Sequence, residues 1–592
     1  MWVYAAESKS SVEALPVLLA LKARVPLRWY AQAVRDALAA GRRSARSRDA
    51  SHMFDVGAAR AAVEAFEAEH APQTRAVRPD ASDGEIVDKA RRIAADAQLR
   101  MLGLTTADAL VVAQSACDMY GVPLPAAETP EGAVLRAKCE LWWRRQLRTA
   151  HARGSEASNI RMRFVHYGAD PYASNDAVRR RDAQNRRNAA TLAAVMMENE
   201  DGQRFTLEEL AAKTVSNKAI RRGELFTRLR GCEELAVAAG YDAVMFTLTC
   251  PSRFHSVRQL GERTRFVPNK KYDGSTPRDA QAHLRKVWER IRAELAREGI
   301  SYFGIRVVEP HHDGTPHWHG LVFSSQIERF NAIMRKHALK DSGDERGAQE
   351  RRVKFEKIDG AKGSAVGYVA KYISKNIDGH KVGDHKTQEG FTVAPDLLGD
   401  VEVTPSQRVE AWASHWGIRQ FQPFGQAPVG VWRQLRKIKA EDLPREDESP
   451  AIRDAWAAAQ KTEARQADWA AYCRAMGGVA GEARMVYVKR VPELREGRYG
   501  ITRVQVPHGI AARGVATVTD GLCTYTRETE IYVPATRHAW RVVSRSGAAA
   551  STRTCVNNCT EGGRSGEPRE GGSDARRVLR RQGTGDRTAR DV

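Results

Sequence analysis

Cysteine is scarce in this sequence: eight among 592 residues, at Cys117, Cys139, Cys232, Cys250, Cys473, Cys523, Cys555 and Cys559. None has the paired spacing of a zinc ribbon or a disulfide framework, which excludes both and fits a reducing cytoplasm. Cys555 and Cys559 make only a lone Cys-x-x-x-Cys, too little for a metal site. Long hydrophobic runs are missing too. The longest early one, Ala14 to Leu21, contains Pro16 and follows no cleavage-type signal. It falls far short of the roughly 20 apolar residues a membrane helix needs, so the expectation is a chain neither secreted nor embedded. Acid is in deficit as well: 73 Asp and Glu face 94 Lys and Arg, a formal charge of +21. A polyanion would gain Coulomb energy and release counterions wherever these basic residues cluster, which makes nucleic acid the leading partner. Free use of Arg in a GC-rich genome is the plainer account of the charge alone.

With 42% hydrophobic and 28% charged residues, most of the chain should fold, and its length exceeds what one hydrophobic core accommodates. Residues 1–240 read as a helical region, with apolar spacing such as Val63 with Phe66, or Ile86, Ala90, Ile93 and Ala97. Its Arg-dense stretch Arg179 to Arg187 reads equally as a solvated helix face or a DNA contact. The pattern changes at Tyr241, and residues 241–440 read as a compact α+β unit with an antiparallel sheet. Ala243 to Thr249 is a β-branched and aromatic run stopped by Pro251. Thr276-Pro277 with Asp279 predicts a capped helix start, and Leu284, Val287, Trp288, Ile291 and Leu295 form one apolar stripe ended by Gly299. Tyr302 to Glu309, a turn at Asp313-Gly314-Thr315-Pro316, and His317 to Phe323 predict a β-hairpin. A helix from Ile327 to Ala338, a strand from Val353 to Ile358 and a helix from Ala365 to Asn376 follow. Residues 441–543 mix a helical stretch with alternating segments and suggest no fold, and 544–592 read as a disordered basic tail.

In His317-Trp318-His319 the strand alternation sends both imidazoles to one side and the indole to the other. Glu309, at the end of the preceding strand, is placed by hairpin pairing to complete a three-ligand face. An isolated His-x-His is common by chance on surface strands, so context decides. That context is Tyr368-Val369-Ala370-Lys371-Tyr372, whose two phenols lie one helical turn apart on one face. Tyrosine is a poor nucleophile at neutral pH unless a nearby cation favours the phenolate, and Lys371 and a bound metal would each supply that field. An aromatic packing stripe is the plainer reading of the tyrosines by themselves. His311 and His312, on the hairpin loop, are alternative ligands, with a solvated or DNA-facing role favoured.

In order along the chain, Phe246-Thr247-Leu248-Thr249, His317-Trp318-His319 and Tyr368 to Tyr372 resemble the three motifs of the His-hydrophobic-His endonucleases that initiate rolling-circle replication. The two-tyrosine form, with Thr249 to His255 and Trp416 to Phe421 flanking it, is similar to the replication gene A proteins of P2-like tailed bacteriophages. The resemblance covers roughly Tyr241 to Lys439. It implies His317, His319 and Glu309 as metal ligands, Tyr368 and Tyr372 as nucleophiles, and Lys371 as a contact to the scissile phosphate. It further implies Mg²⁺ or Mn²⁺, although two imidazoles and a carboxylate suit zinc by ligand preference alone.

The implied reaction is transesterification of single-stranded origin DNA, leaving a 5′-phosphotyrosine and a free 3′-hydroxyl primer, with rejoining by the second tyrosine. No Gly-x-x-x-x-Gly-Lys-Ser/Thr loop is present to drive unwinding, so a host helicase is an expected partner. Two other readings compete: a metal-dependent hydrolase or oxygenase using His-x-His plus Glu, and a non-catalytic DNA-binding protein.

Overall fold

Residues 2–47, 54–72, 76–260, 265–359, 363–377, 403–463, 466–480, 484–520 and 523–543 are described by the computed structural model. The basic tail, with Cys555 and Cys559, lies outside the described residues, and so does 378–402.

Helical spacing ahead of residue 195 produces helices. Asp83–Arg100, for example, starts with a Ser82/Glu85 capping box and buries Ile86, Ala90, Ile93 and Ala97 on one stripe. The region is not wholly helical, however. Strand β1 (Met196–Glu198) pairs antiparallel with β2 (Arg204–Thr206). Strands of three residues are too short to reveal a period of two, which is why the sequence pattern misses them.

Five strands build the central sheet: β3 (Asp242–Leu248), β6 (Phe303–Pro310), β7 (Pro316–Ser324), β8 (Val353–Lys357) and β9 (Phe421–Phe424). A separate small hairpin joins β4 (Val257–Leu260) to β5 (Arg265–Pro268). The sheet order is β8-β3-β7-β6-β9, every pairing antiparallel. Strand alternation divides the side chains between two cores. Val244, Phe246, Val308, Trp318 and Val322 pack with Leu284, Trp288 and Ile291 of the helix Pro277–Arg297, whose Thr276/Asp279 capping box forms as the sequence predicts. On the other face Met245, Phe303, Ile305, Val307, Leu321 and Phe323 meet Leu229 and Cys232 of the helix Lys218–Ala238 and Val369 and Ile373 of the helix Ala365–Ile377.

That second core does not stop at residue 440. Ile452, Ala455, Trp469 and Tyr472, on the helices Pro450–Ala459 and Trp469–Ala475, belong to it, as do Val486 and Ile510 from a three-stranded sheet. This sheet has the order β10 (Val486–Gly497), β11 (Gly500–Asp520), β12 (Cys523–Pro534). A last strand, β13 (Arg541–Val543), returns to pair with β1 and so ties the end of the described chain to the helical region. The whole is α+β with antiparallel sheets, as expected. Among the described residues no helix is long and apolar enough to cross a membrane.

Candidate metal centre and active site

The candidate ligands continue a row of core residues. Along β6, Phe303, Ile305 and Val307 face the second core and the next residue of that parity is Glu309; along β7, Phe323 and Leu321 lead to His319 and His317. Cross-strand pairing sets Glu309 directly opposite His317, and places His319 between Val307 on β6 and Thr247 on β3. Glu309, His317 and His319 therefore share one face at the turn end of the hairpin. Their ligand atoms lie within 4.8 Å of one another. The two Nε2 atoms are 2.9 Å apart, and His319 Nε2 is 3.7 Å from Glu309 Oε2. Exposure is 2% for Glu309, 8% for His317 and 1% for His319. A carboxylate so fully desolvated is costly without a cation, so burial and donor chemistry together suit a divalent ion. Glu200, Asp201 and His538 also cluster, but all three are exposed, where such groupings are common without an ion.

Both imidazoles are held from behind. Thr247 Oγ1 lies 3.0 Å from His319 Nδ1, so with Nε2 turned to a metal the Nδ1 proton is donated to the hydroxyl. His311 stacks flat on His317, ring centroids 4.0 Å apart, and meets His255 edge-on at 5.2 Å. His255 Nδ1 in turn pairs with Asp313 Oδ2 at 2.9 Å. Burial alone would raise the Asp313 carboxyl, yet the neighbouring His255 imidazole prevails and holds it down to about 2. For His255 the sign reverses, with Asp313 raising it against burial. Burial, helped by His255, pushes His311 down to about 3 and keeps it neutral. Both loop histidines, read from the sequence as solvated or DNA-facing, are half-buried. The turn is held by Gly314, at a φ of +83°, with Trp412 Nε1 donating to its carbonyl at 2.7 Å. This folds His311 onto His317, and His312 stacks on Tyr172 at 5.0 Å.

The tyrosines sit on the helix Ala365–Ile377, which buries Ala365, Val369, Ile373 and Ile377 at helical spacing. Tyr368 and Tyr372 form the half-buried shoulder of this stripe. Tyr372 lies stacked on the His319 ring, centroids 4.2 Å apart and 24° between planes, so the helix delivers one phenol to an imidazole of the candidate metal cluster. Tyr368, one turn earlier, rests on the apolar core. Lys371 is on the same helix between them, and its side chain lies outside the described residues.

Several residues escaped sequence reasoning. Thr247 lies within the Phe246–Thr249 motif, but only the β3–β7 register reveals its partner. Tyr172 comes from the helical region: its N–H donates to the His312 carbonyl at 3.0 Å, and burial followed by the Glu309 charge raises its phenol. No local pattern marks a contact between segments so far apart in the chain. His255 and Asp313 are also paired through space, and neither carries a signal beyond its residue type.

Comparison with known proteins places this geometry in context. Residues 105–380 match the family described as Bacteriophage replication gene A protein (GPA). The chain is 38% identical over 439 residues to the replication gene A protein of Escherichia phage 186, covering 72% of this chain and 59% of that protein. It is 34% identical over 441 residues to the replication gene A protein of Escherichia phage P2, covering 72% and 55%. A probable replication endonuclease from a prophage-like region of Salmonella typhi is 31% identical over 451 residues, covering 74% and 54%. The chain thus spans less than two thirds of the length of these relatives. No solved structure matches. On residues 105–380 and these identities, the chain belongs to the bacteriophage replication gene A protein family.

Proposed function

We propose that this chain is a replication initiator that nicks single-stranded origin DNA by metal-assisted tyrosine transesterification in the cytoplasm of a bacterial host. The supporting observation is one juxtaposition: a buried Glu309–His317–His319 cluster with the Tyr372 ring stacked on His319. The names of the relatives, replication gene A protein and probable replication endonuclease, agree with it.

Glu309, His317 and His319 would hold the ion. Two imidazole nitrogens and a carboxylate would suit a divalent ion, with Mg²⁺ or Mn²⁺ expected from the likeness to the family and zinc also compatible by ligand preference. When bound, the ion supplies Lewis-acid polarisation of a non-bridging phosphate oxygen. The phenolic oxygen of Tyr372 or Tyr368 attacks phosphorus; the new O–P bond replaces the bond to the 3′ oxygen, which takes up a proton as the phenol loses its own to solvent. The products are a 5′-phosphotyrosine and a 3′-hydroxyl primer, and the covalent link retains the bond energy, so rejoining needs no ATP. A second tyrosine one turn away permits cutting of the regenerated origin while the first link persists. Lys371 is assigned to the scissile phosphate, and Thr247 and His311 keep the imidazoles in place. Strand separation falls to a host helicase.

The test is a denaturing gel of labelled single-stranded origin DNA incubated with Mn²⁺. Wild type gives protein-linked DNA, whereas Tyr368→Phe/Tyr372→Phe and His317→Ala give none. Cut DNA without an adduct would identify a hydrolase and overturn the mechanism.

A further inference from the structure

The helix Pro277–Arg297 carries five arginines, and they divide by partner. Arg290 pairs with Asp341 at 2.6 Å and Arg297 with Glu294 at 4.0 Å. Arg278, Arg285 and Arg292 are exposed, and among the described residues none of them pairs with a carboxylate, Glu289 included. Their spacing is seven residues, so they stand on one face about 10.5 Å apart, a row about 21 Å long. Other cations extend the row. Arg153 approaches Arg278 across Gly417, where a Cβ would lie 3.4 Å from one guanidinium and 3.9 Å from the other. Arg306 on β6 lies beneath Arg285, Arg292 and Arg419; burial and these three charges push it down to about 10. It is only 6% exposed, with its guanidinium 3.6 Å above the Trp318 ring. Its Nη2 donates to Gln422, and Nε and Nη1 have no acceptor. A buried cation ringed by cations, with two donors unused, is a costly arrangement unless an anion closes over it.

We propose that this row is a second DNA-binding surface, a track for the phosphate backbone of the duplex that adjoins the nicked single strand. It rests on the reading of the protein as an origin nickase. Arg306 and Trp318 point to the opposite face of the sheet from Glu309, His317 and His319, so the track holds other phosphates than the scissile one. Duplex is the fitting form because Trp288 and Trp318, the indoles beneath the row, are buried and give bases no face to stack on. Contacts of guanidinium to phosphate position DNA without reading its sequence.

The experiment measures binding of the full chain to a duplex of arbitrary sequence and to a short single strand, across a salt series, by fluorescence anisotropy. In Arg278→Gln/Arg285→Gln/Arg292→Gln the slope of log affinity against log salt for duplex falls by about 0.9 per lost phosphate contact, about 2.7 in all, relative to the single strand. Circular dichroism and the thermal midpoint confirm that the variant is folded. An unchanged duplex slope, or an equal loss for both ligands, overturns the track. The nickase reading is judged apart, by adduct formation in wild type; if no adduct forms, the duplex slope still decides whether the track exists.

Discussion

Replacing Thr247 by valine tests whether the metal centre depends on the strand beside it. The Thr247→Val change keeps the β-branched shape favoured in a strand and removes one hydroxyl, which lies 3.0 Å from His319 Nδ1. His319 is 1% exposed, so water does not readily replace the lost acceptor. A hydrogen bond to a group made more acidic by ligation is worth about 1.5 to 3 kcal/mol, and supporting partners of this kind govern about 10- to 100-fold in metal affinity. We therefore expect Mn²⁺ to bind about 10- to 100-fold more weakly, or about 1.4 to 2.8 kcal/mol, by calorimetric titration. The thermal midpoint of the metal-free protein should barely change. Thr247→Ser, which restores the hydroxyl, should recover much of the affinity. Wild-type Mn²⁺ affinity in Thr247→Val, alongside lost binding in His319→Ala, would refute the claim that Thr247 sets the imidazole.

Three other outcomes follow from the same geometry. Excess Mn²⁺ should raise the thermal midpoint of wild type, by about 2.7 kcal/mol of stabilisation at 100 times Kd, and Glu309→Gln should lose most of that shift in differential scanning fluorimetry. Gly320→Ala should destabilise the fold by about 1 to 3 kcal/mol in thermal unfolding, because the added Cβ would fall 2.2 Å from the buried Phe246 ring. Acid should loosen the helix Pro405–Trp416 from its neighbours. Glu410 is held down to about 2, hydrogen bonds from Lys218 and Asn185 overriding burial, so its stabilisation is present at neutral pH and lost as pH falls from about 4.3 towards 2. His415 is pushed down to about 4 by burial and by Arg180, so the fold prefers it neutral and loses stability as pH falls from about 6.5 through 4. The Glu410 shift corresponds to about 3 kcal/mol, reduced to about 1 to 2 for partial solvation. Glu410→Gln should therefore melt lower than wild type at pH 7, and the difference should shrink below about pH 4 and close only as pH approaches about 2.

Legibility in the sequence followed the range of the interactions. The hairpin and the clustering of Glu309, His317 and His319 were readable because a period of two and one turn decide which side chains share a face, which needs only local geometry. The helix Pro277–Arg297 was readable from its cap and stripe, and the shoulder at Tyr368 and Tyr372 from a spacing of four. What depended on pairing between distant segments was not. Thr247 meets His319 only through the order β8-β3-β7-β6-β9, and Tyr172 reaches His312 from outside the sheet. For His311 and His312, read as solvated or DNA-facing, the sequence could not show that the Gly314 turn and the Trp412 hydrogen bond leave them half-buried against His317 and Tyr172. β1 and β13 were too short to register, and the alternation at Met485 to Val488 and Ile501 to Val506, which falls on β10 and β11, named no partner to pack on.

The most direct measurement is tandem mass spectrometry of the peptide that carries DNA after proteolysis of the adduct formed with Mn²⁺. The account predicts a nucleotide joined through its 5′ phosphate to Tyr372 or Tyr368, to Tyr372 when the protein is Tyr368→Phe, and no modified peptide when the metal is chelated. A nucleotide on a residue outside the helix Ala365–Ile377, or an adduct that forms undiminished in chelator, would contradict it.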